Sequence, residues 1–312
     1  MTKLERIIVS FPVTAFIIRQ SKRIYLPGFE GVPLYDVIKF FFRQIRQVGL
    51  NERAAAISYN FIMAIPPTCL FLFTLIPNLP FIHKKSIKEQ LHALIVDVIP
   101  AKIYNQNIIG FVDGFIDKSR IDLLSFGIVL SLFFASNAMM GLMRSFNKNY
   151  IGFEKRKGLQ KRWMAIKLTS LILSLVLACL LLLIAQGAVL KLLGIQSLEV
   201  RTFIKNIRWI FIVGLIFYIY GSIYKYAPAT QKRWKLLSPG SILGTILSVI
   251  ATLGFSYFVN TYGKYNALYG SIGTVIVLMI LVFINSMSLL IGFELNVSIK
   301  SLKAIADERP KT

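Results

Sequence analysis

The amino-acid sequence predicts an all-α polytopic membrane protein with six transmembrane helices, interfacial amphipathic helices and both termini in the cytoplasm. Hydrophobic residues make up 55% of the 312 positions and charged residues only 16%, whereas a soluble domain carries about a quarter charged residues. There is too little charge to solvate a globule and too much apolar sequence to fit in one core. The composition therefore argues against a soluble enzyme, a disordered chain and a coiled coil.

Six apolar stretches have about the length that a transmembrane helix needs, which is roughly 20 residues. Helices are expected because lipid cannot satisfy free backbone groups, and the alternating strands of a membrane barrel are absent from the sequence. We divide the chain into a cytoplasmic or interfacial amphipathic segment (1–50), a transmembrane domain (51–300) and a cytoplasmic tail (301–312). The predicted spans are 54–76, 123–143, 164–190, 207–224, 240–260 and 271–296.

The distribution of basic residues predicts the orientation of these spans. Twenty-four lie before the first span, in the second and fourth connections and in the tail, against ten in the other connections. Both termini are therefore predicted in the cytoplasm, where basic residues are enriched. This bias accounts for most of the net charge of +22 without any nucleic acid, and it predicts contacts with anionic lipid headgroups.

Amphipathic segments flank the first span. Residues 33–48 repeat apolar side chains at helical spacing, which predicts a helix lying on the cytoplasmic face and leading into the span. Residues 7–18 are too short to cross a bilayer and are predicted to be interfacial. The long connection 77–122 predicts two short amphipathic helices on the opposite face, which either cap a cavity or lie in the headgroup layer.

The first span contains two adjacent prolines, Pro66 and Pro67, and Asn60 lies one to two turns before them. Because proline has no amide donor, the pair predicts a kink or an unwound turn. Broken helices often mark transport sites. The alternative is a kink with a purely structural role.

The fifth span carries a small residue at every fourth position. This spacing predicts one narrow helical face that another helix can approach closely, and it favours packing over a ligand path. The residues are Gly240, Gly244, Ser248 and Thr252.

Glu294 is an acidic residue deep in an apolar run of the last span. An unpaired carboxylate is costly in a membrane, so we expect Glu294 to be paired or protonated. Arg53 and Arg144, predicted at the same level, are its candidate partners. The cluster is either an ion pair that locks helices together or the floor of a polar cavity for a substrate or a proton. The asparagines assigned to this cluster are Asn60, Asn137, Asn147 and Asn296.

Sequence motifs for known enzyme and pump chemistry are absent. There is no Walker lysine loop, HExxH or GxSxG. Cys69, Cys179, His83 and His92 lack the spacing of a metal site. The sequence therefore predicts no catalytic residue, metal or cofactor, and the two histidines are interpreted as ordinary interfacial residues.

Several longer strings are together more specific than any of these features. They are ERAAAISYNF with IPP (52–67), FFASNAMMGLMRSFNKNY (133–150), YKYAPATQKRWKLLSPGSILGTI (224–246), YGKYNALYGSIGTVIVLMI (262–280) and GFELN (292–296). They resemble the YihY/virulence factor BrkB family, formerly labelled ribonuclease BN-like, over roughly 45–300. The resemblance implies a six-span bacterial inner-membrane protein with cytoplasmic termini, in agreement with the hydropathy and the charge bias.

Two functional hypotheses follow from the sequence. The first is a transporter-like or lipid-handling protein of the cell envelope with a cavity among its helices. The second is a non-transporting scaffold that anchors an envelope protein. An RNA-processing enzyme is a third class, which the missing catalytic motifs argue against, and the oligomeric state stays open.

Overall fold

The structure is a computed structural model. It describes residues 12–75, 122–147, 158–192, 198–230, 233–262 and 271–307. It also describes positions 88–89, 91–93, 95–96, 106, 108–110 and 112–114 of the long connection. Regular structure in these residues is helical. The helices are α1 (Pro12–Ser21), α2 (Leu34–Gln47), α3 (Leu50–Leu75), α4 (Asp122–Phe146), α5 (Gly158–Leu192), α6 (Leu198–Tyr226), α7 (Pro239–Tyr262) and α8 (Ser271–Asp307).

Helices α3 to α8 are each long and apolar enough to cross a membrane, which gives six candidate spans in the described residues. The number agrees with the six spans predicted from the sequence. Their ends differ, because hydropathy marks only the apolar part of a helix. The largest difference is α8, which continues to Asp307 and so includes part of the predicted tail.

The last turns of α8 continue as a helix because they have a packing partner. Ile299 and Leu302 pack against Phe29, Val32 and Val37, which come from α2 and the turn before it. This apolar cluster holds α2 beside the end of α8.

The six spans form a ring in chain order. Each span packs against the next one along the chain, and α8 closes the ring against α3. Helix α3 begins, and α8 ends, at the same end of this ring, which we call the basic end. A turn at Gly49 connects α2 to α3 there, and its φ of +63° favours glycine.

Helix α2 has the amphipathic pattern predicted for residues 33–48. Val37 is fully buried against α8, whereas Ile38 and Phe42 are exposed on another side of the helix. Some apolar side chains of α2 therefore pack against the rest of the protein, and others face outward from the ring. Residues 1–11, which include the start of the predicted interfacial segment, lie outside the described part of the chain.

Candidate functional site

Arg53 and Glu294 form an ion pair inside the basic end of the ring. The Arg53 Nη1 donates to Glu294 Oε1 at 2.5 Å, and the two side chains are 6% and 0% exposed. The Arg53 Nη2 also donates to the backbone oxygen of Ser145 at 2.7 Å. One guanidinium on α3 thus holds both α8 and the end of α4.

Arg144, the other candidate partner, is exposed and makes no ion pair with any described residue. It lies close to Ser145 in sequence but points away from the interior. Successive side chains of a helix point in different directions. The backbone oxygen of Ser145 accepts from Arg53 inside the ring, whereas the side chain of Arg144 lies on the exposed face of α4.

Aromatic side chains fill the interior beside the ion pair. The rings of Phe146 and Phe293 stack at a centroid distance of 3.9 Å with an interplanar angle of 2°. Trp234 packs 5.6 Å from Phe293. The Tyr224 hydroxyl donates to the backbone oxygen of Leu289 at 2.7 Å. Because these residues come from α4, α6, α8 and the α6–α7 connection, their packing closes the interior at the basic end.

Two of the predicted asparagines fix the connection between α6 and α7. Asn296 accepts from the Gly240 amide at 2.8 Å and donates to Ser238 Oγ at 2.9 Å. Asn147 accepts from the Ala229 amide at 2.9 Å. Both satisfy backbone or hydroxyl groups of one connection, and neither contacts the Arg53–Glu294 pair through a hydrogen bond.

The other two asparagines lie elsewhere. Asn60 donates to the Ala56 oxygen of its own helix and packs on Gly141, where an added Cβ would lie 2.7 Å from its amide nitrogen. Asn137 accepts from Arg162 of α5. The structure therefore divides the predicted polar cluster into the Arg53–Glu294 pair and four asparagines that each make a separate contact.

The small residues of α7 lie against α8. An added Cβ at Gly292 would lie 2.5 Å from the Gly240 oxygen, so the two backbones meet there without side chains between them. Farther along, Ser248 donates to the amide oxygen of Asn285, and the Asn285 amide donates to Thr252 Oγ1 at 3.1 Å. The face thus combines close backbone approach with hydrogen bonds between the two helices.

The unwound turn predicted at Pro66 and Pro67 is wrong, because α3 is helical without interruption from Leu50 to Leu75. The kink predicted as its alternative stays a prediction. Proline fixes φ near the helical value, so the pair removes two amide donors while leaving the helical path available.

An apolar cavity of about 260 Å³ lies next to the proline pair. Its lining comes from the faces of α3, α4 and α5 opposite to their most exposed side chains, so the cavity faces the interior of the ring. The buried Thr169 hydroxyl has no hydrogen-bond partner among the described residues. Lining residues include Ala64, Thr68, Ala138, Met139, Thr169 and Ile172.

A second cavity, of about 350 Å³, lies between α2 and the end of α8. Its lining is mixed: Asp36, Lys39 and Arg43 come from α2, and Leu302 and Ile305 come from α8. Neither this cavity nor the apolar one is lined by Arg53 or Glu294, so neither cavity has the predicted polar floor.

The long connection contains a polar contact that the sequence analysis missed. His92 was interpreted as an ordinary interfacial residue without a named partner. Its Nε2 lies 2.8 Å from Asp113 Oδ1, and Lys88 Nζ lies 3.9 Å from the same oxygen. Leu91 and Val112 are buried beside this contact and form a cluster with side chains of α5. The spacing of 21 residues between His92 and Asp113 gives no periodic signal that would identify the pair. His83 lies outside the described residues.

Metal ligands are not gathered in the described part of the chain. Within it, no group of three or more His, Cys, Asp or Glu side chains is placed to hold a metal ion.

Comparison with known proteins identifies the family. The model of the Virulence factor BrkB family matches residues 41–312. The chain is 28% identical over 264 residues to YfkH of Bacillus subtilis (strain 168), named as ribonuclease-like, covering 83% of this chain and 94% of the relative. It is 21% identical over 259 residues to the UPF0761 membrane protein NTHI0384 of Haemophilus influenzae (strain 86-028NP), covering 82% and 91%.

A third relative extends the same pattern. The UPF0761 membrane protein of Pseudoalteromonas atlantica (strain T6c / ATCC BAA-1087) is 22% identical over 270 residues, covering 83% of this chain and 84% of the relative. No solved structure matches the chain. The family match covers all six spans, and with it this integral membrane protein belongs to the Virulence factor BrkB family.

Proposed function

We propose that this protein handles lipid in the bacterial inner membrane in a transporter-like manner, with its basic end in the cytoplasm. The observation that carries the proposal is the apolar cavity inside the ring, bounded by α3, α4 and α5. Lipid handling makes use of such an apolar cavity, whereas a purely anchoring role does not require one.

The size and chemistry of the cavity fit a hydrocarbon chain. An engineered apolar cavity of about 150 Å³ in a soluble protein stays free of water and binds benzene. The cavity here is larger, about 260 Å³, and most of its lining is apolar. An acyl chain is the apolar group that a membrane supplies in abundance, whereas a charged solute would lose its hydration without gaining partners.

The Arg53–Glu294 pair has a different role in this proposal. It lies in a packed interior together with the aromatic stack of Phe146 and Phe293. We assign it to closing the basic end and holding the first and last spans together. A substrate is expected to meet the apolar cavity and not this pair.

The proposed orientation rests on the charge bias. Basic residues are enriched on the cytoplasmic side of bacterial membrane proteins, and the inner leaflet there is anionic. The basic end would then contact anionic headgroups, and the 88–114 segment would lie on the periplasmic side. The proposal includes no catalytic step and does not extend the ribonuclease-like name of the Bacillus relative to this chain.

Reconstitution tests the proposal. Purified full-length protein is placed in vesicles that contain a fluorescent phospholipid, and the fraction protected from a membrane-impermeant quencher is followed with time. Lipid handling predicts faster exchange between leaflets than in vesicles without protein. Folded protein that leaves the exchange rate unchanged would contradict it.

The alternative is a scaffold for an envelope protein. It is favoured by the segment around His92 and Asp113, which α5 holds in place through Leu91 and Val112. Photo-crosslinking from Val96, an exposed apolar residue of this segment, tests it. A single specific protein adduct in cells would support the scaffold, and its absence at every position tried would count against it.

A further inference from the structure

Arg162 is a half-buried cation between α4 and α5 whose charge no described carboxylate neutralises. Its Nη1 donates to the Asn137 amide oxygen and lies 3.4 Å from Met140 Sδ. Its guanidinium carbon lies 5.3 Å from the centre of the Phe133 ring. These contacts fix the side chain in position beside an apolar helix surface, and none of them supplies a negative charge.

Some donors of the fixed guanidinium have no hydrogen-bond partner among the described residues. Arginine carries five N–H donors in a rigid fork. The hydrogen bonds to described residues all involve Nη1, so Nε and Nη2 have no such partner. A phosphate group matches the paired geometry of these remaining donors.

The side chain lies at a level that suits a lipid headgroup. The next residue, Trp163, is exposed, and Lys167 reaches back to place its ammonium 5.3 Å from the Trp163 ring. Tryptophan marks the membrane interface, and a lysine that bends toward it keeps its charge near water. Arg162 is therefore close to the depth at which phospholipid phosphates lie.

The surface next to Arg162 suits an acyl chain. Phe126, Val129 and Phe133 are all at least half exposed. Their spacing places them on the same face of α4 as Asn137. This row of apolar side chains starts at the guanidinium and runs away from the basic end.

We propose that the crevice between α4 and α5 binds an anionic phospholipid. Arg162 receives the phosphate, Asn137 positions Arg162, and an acyl chain lies along the Phe126–Phe133 row. This site is outside the ring and distinct from the apolar cavity. It names the lipid class for the proposed lipid handling and rests on that proposal for its physiological role.

Charge favours an anionic lipid over a zwitterionic one. Lys161 precedes Arg162, and Arg144 lies two turns after Asn137 on the same face of α4, toward the basic end. Cations at this end of the two helices repel the ammonium group of a zwitterionic headgroup and attract a headgroup with a net negative charge. Phosphatidylglycerol is thus the appropriate probe, with phosphatidylcholine as its comparison.

Native mass spectrometry of the full-length protein in detergent measures the binding. We expect phosphatidylglycerol to bind the wild type more tightly than phosphatidylcholine does. Arg162→Gln is expected to weaken phosphatidylglycerol binding about fivefold, the effect of losing one basic contact with an anionic headgroup. Inorganic phosphate should not displace the lipid, because it has no acyl chain.

Matched variants separate this site from general charge effects. Lys235→Gln removes one exposed cation from the α6–α7 connection and should leave binding unchanged. Asn137→Ala keeps every charge and should weaken binding through a less well-placed Arg162, which also provides a test if Arg162→Gln does not fold. Wild-type affinity in folded Arg162→Gln, or displacement by inorganic phosphate, would overturn the proposal.

Binding and movement of lipid are read separately. Selective binding through Arg162 in a protein that moves no lipid would support this site and contradict lipid transport. If the protein moves lipid but Arg162→Gln binds phosphatidylglycerol as tightly as the wild type does, the result would support transport and overturn this site.

Discussion

Arg53 and Glu294 are 241 positions apart in the chain, yet their side chains meet at 2.5 Å in the interior of the protein. The contact joins the first span to the last and so closes the ring of six helices. It also holds the end of α4 through the Ser145 oxygen. Removing one partner of a buried pair leaves an uncompensated charge inside the protein. This lowers stability more than replacing both partners with apolar residues does.

Glu294→Gln is expected to destabilise the folded protein by about 3–5 kcal/mol, because it leaves the Arg53 charge buried without its carboxylate. Thermal unfolding in detergent measures the effect. Glu30→Gln is the control, since Glu30 pairs with Lys303 at an exposed position and such pairs contribute at most about 1 kcal/mol. Equal melting temperatures for the two variants would show that the buried pair does not hold the ring together.

Gly292→Ala is expected to separate α7 from α8. The new Cβ would lie 2.5 Å from both the Gly240 oxygen and the Tyr224 hydroxyl, and overpacking of this kind costs about 1–3 kcal/mol. Gly254→Ala on α7 is the matched control, because nothing lies within 4 Å of its added Cβ. Thermal unfolding should show a lower melting temperature for Gly292→Ala only.

Asp113→Asn is expected to loosen the 88–114 segment, because His92 and Lys88 both approach that carboxylate. Hydrogen–deuterium exchange should accelerate in peptides covering this segment. Glu89→Gln removes a carboxylate from an exposed position of the same segment and should have no effect. Unchanged exchange in Asp113→Asn would mean that packing of Leu91 and Val112 alone holds the segment.

Cysteine labelling tests the orientation of the ring. In a background in which Cys69 and Cys179 are serine, Leu159→Cys lies at the basic end, and Glu89→Cys lies in the long connection; both side chains are exposed. A membrane-impermeant thiol reagent should label Glu89→Cys in intact cells and reach Leu159→Cys only after permeabilisation. The reverse pattern would place the basic end outside the cytoplasm.

Hydropathy and charge were sufficient to predict the class of fold and the number of spans. Apolar length is a local property, and each of the six helices carries it in its own sequence. Helix ends were harder, because the last turns of α8 depend on packing against Val37 of α2. That contact is tertiary and leaves no mark in the hydropathy of α8.

The candidate site, too, was predictable where the signal is local and not where it depends on tertiary packing. An embedded carboxylate requires a partner, and Arg53 and Arg144 were indistinguishable from sequence because both lie near the ends of predicted spans. In the structure the side chain of Arg144 lies on the exposed face of α4, which excludes it as the partner of Glu294. Arg162 was counted among the residues of a basic connection, because its contact with Asn137 appears only when α4 and α5 are packed together.

The measurement that tests the central claim most directly is lipid exchange by a cavity-filled variant. Ala138 is buried and lines the apolar cavity, so Ala138→Phe should fill it. Ala178→Phe adds the same side chain at an exposed position of α5 and serves as the control. The account predicts that vesicles with folded Ala138→Phe exchange lipid no faster than protein-free vesicles, while Ala178→Phe matches the wild type. Wild-type exchange by folded Ala138→Phe would show that the cavity is not the path.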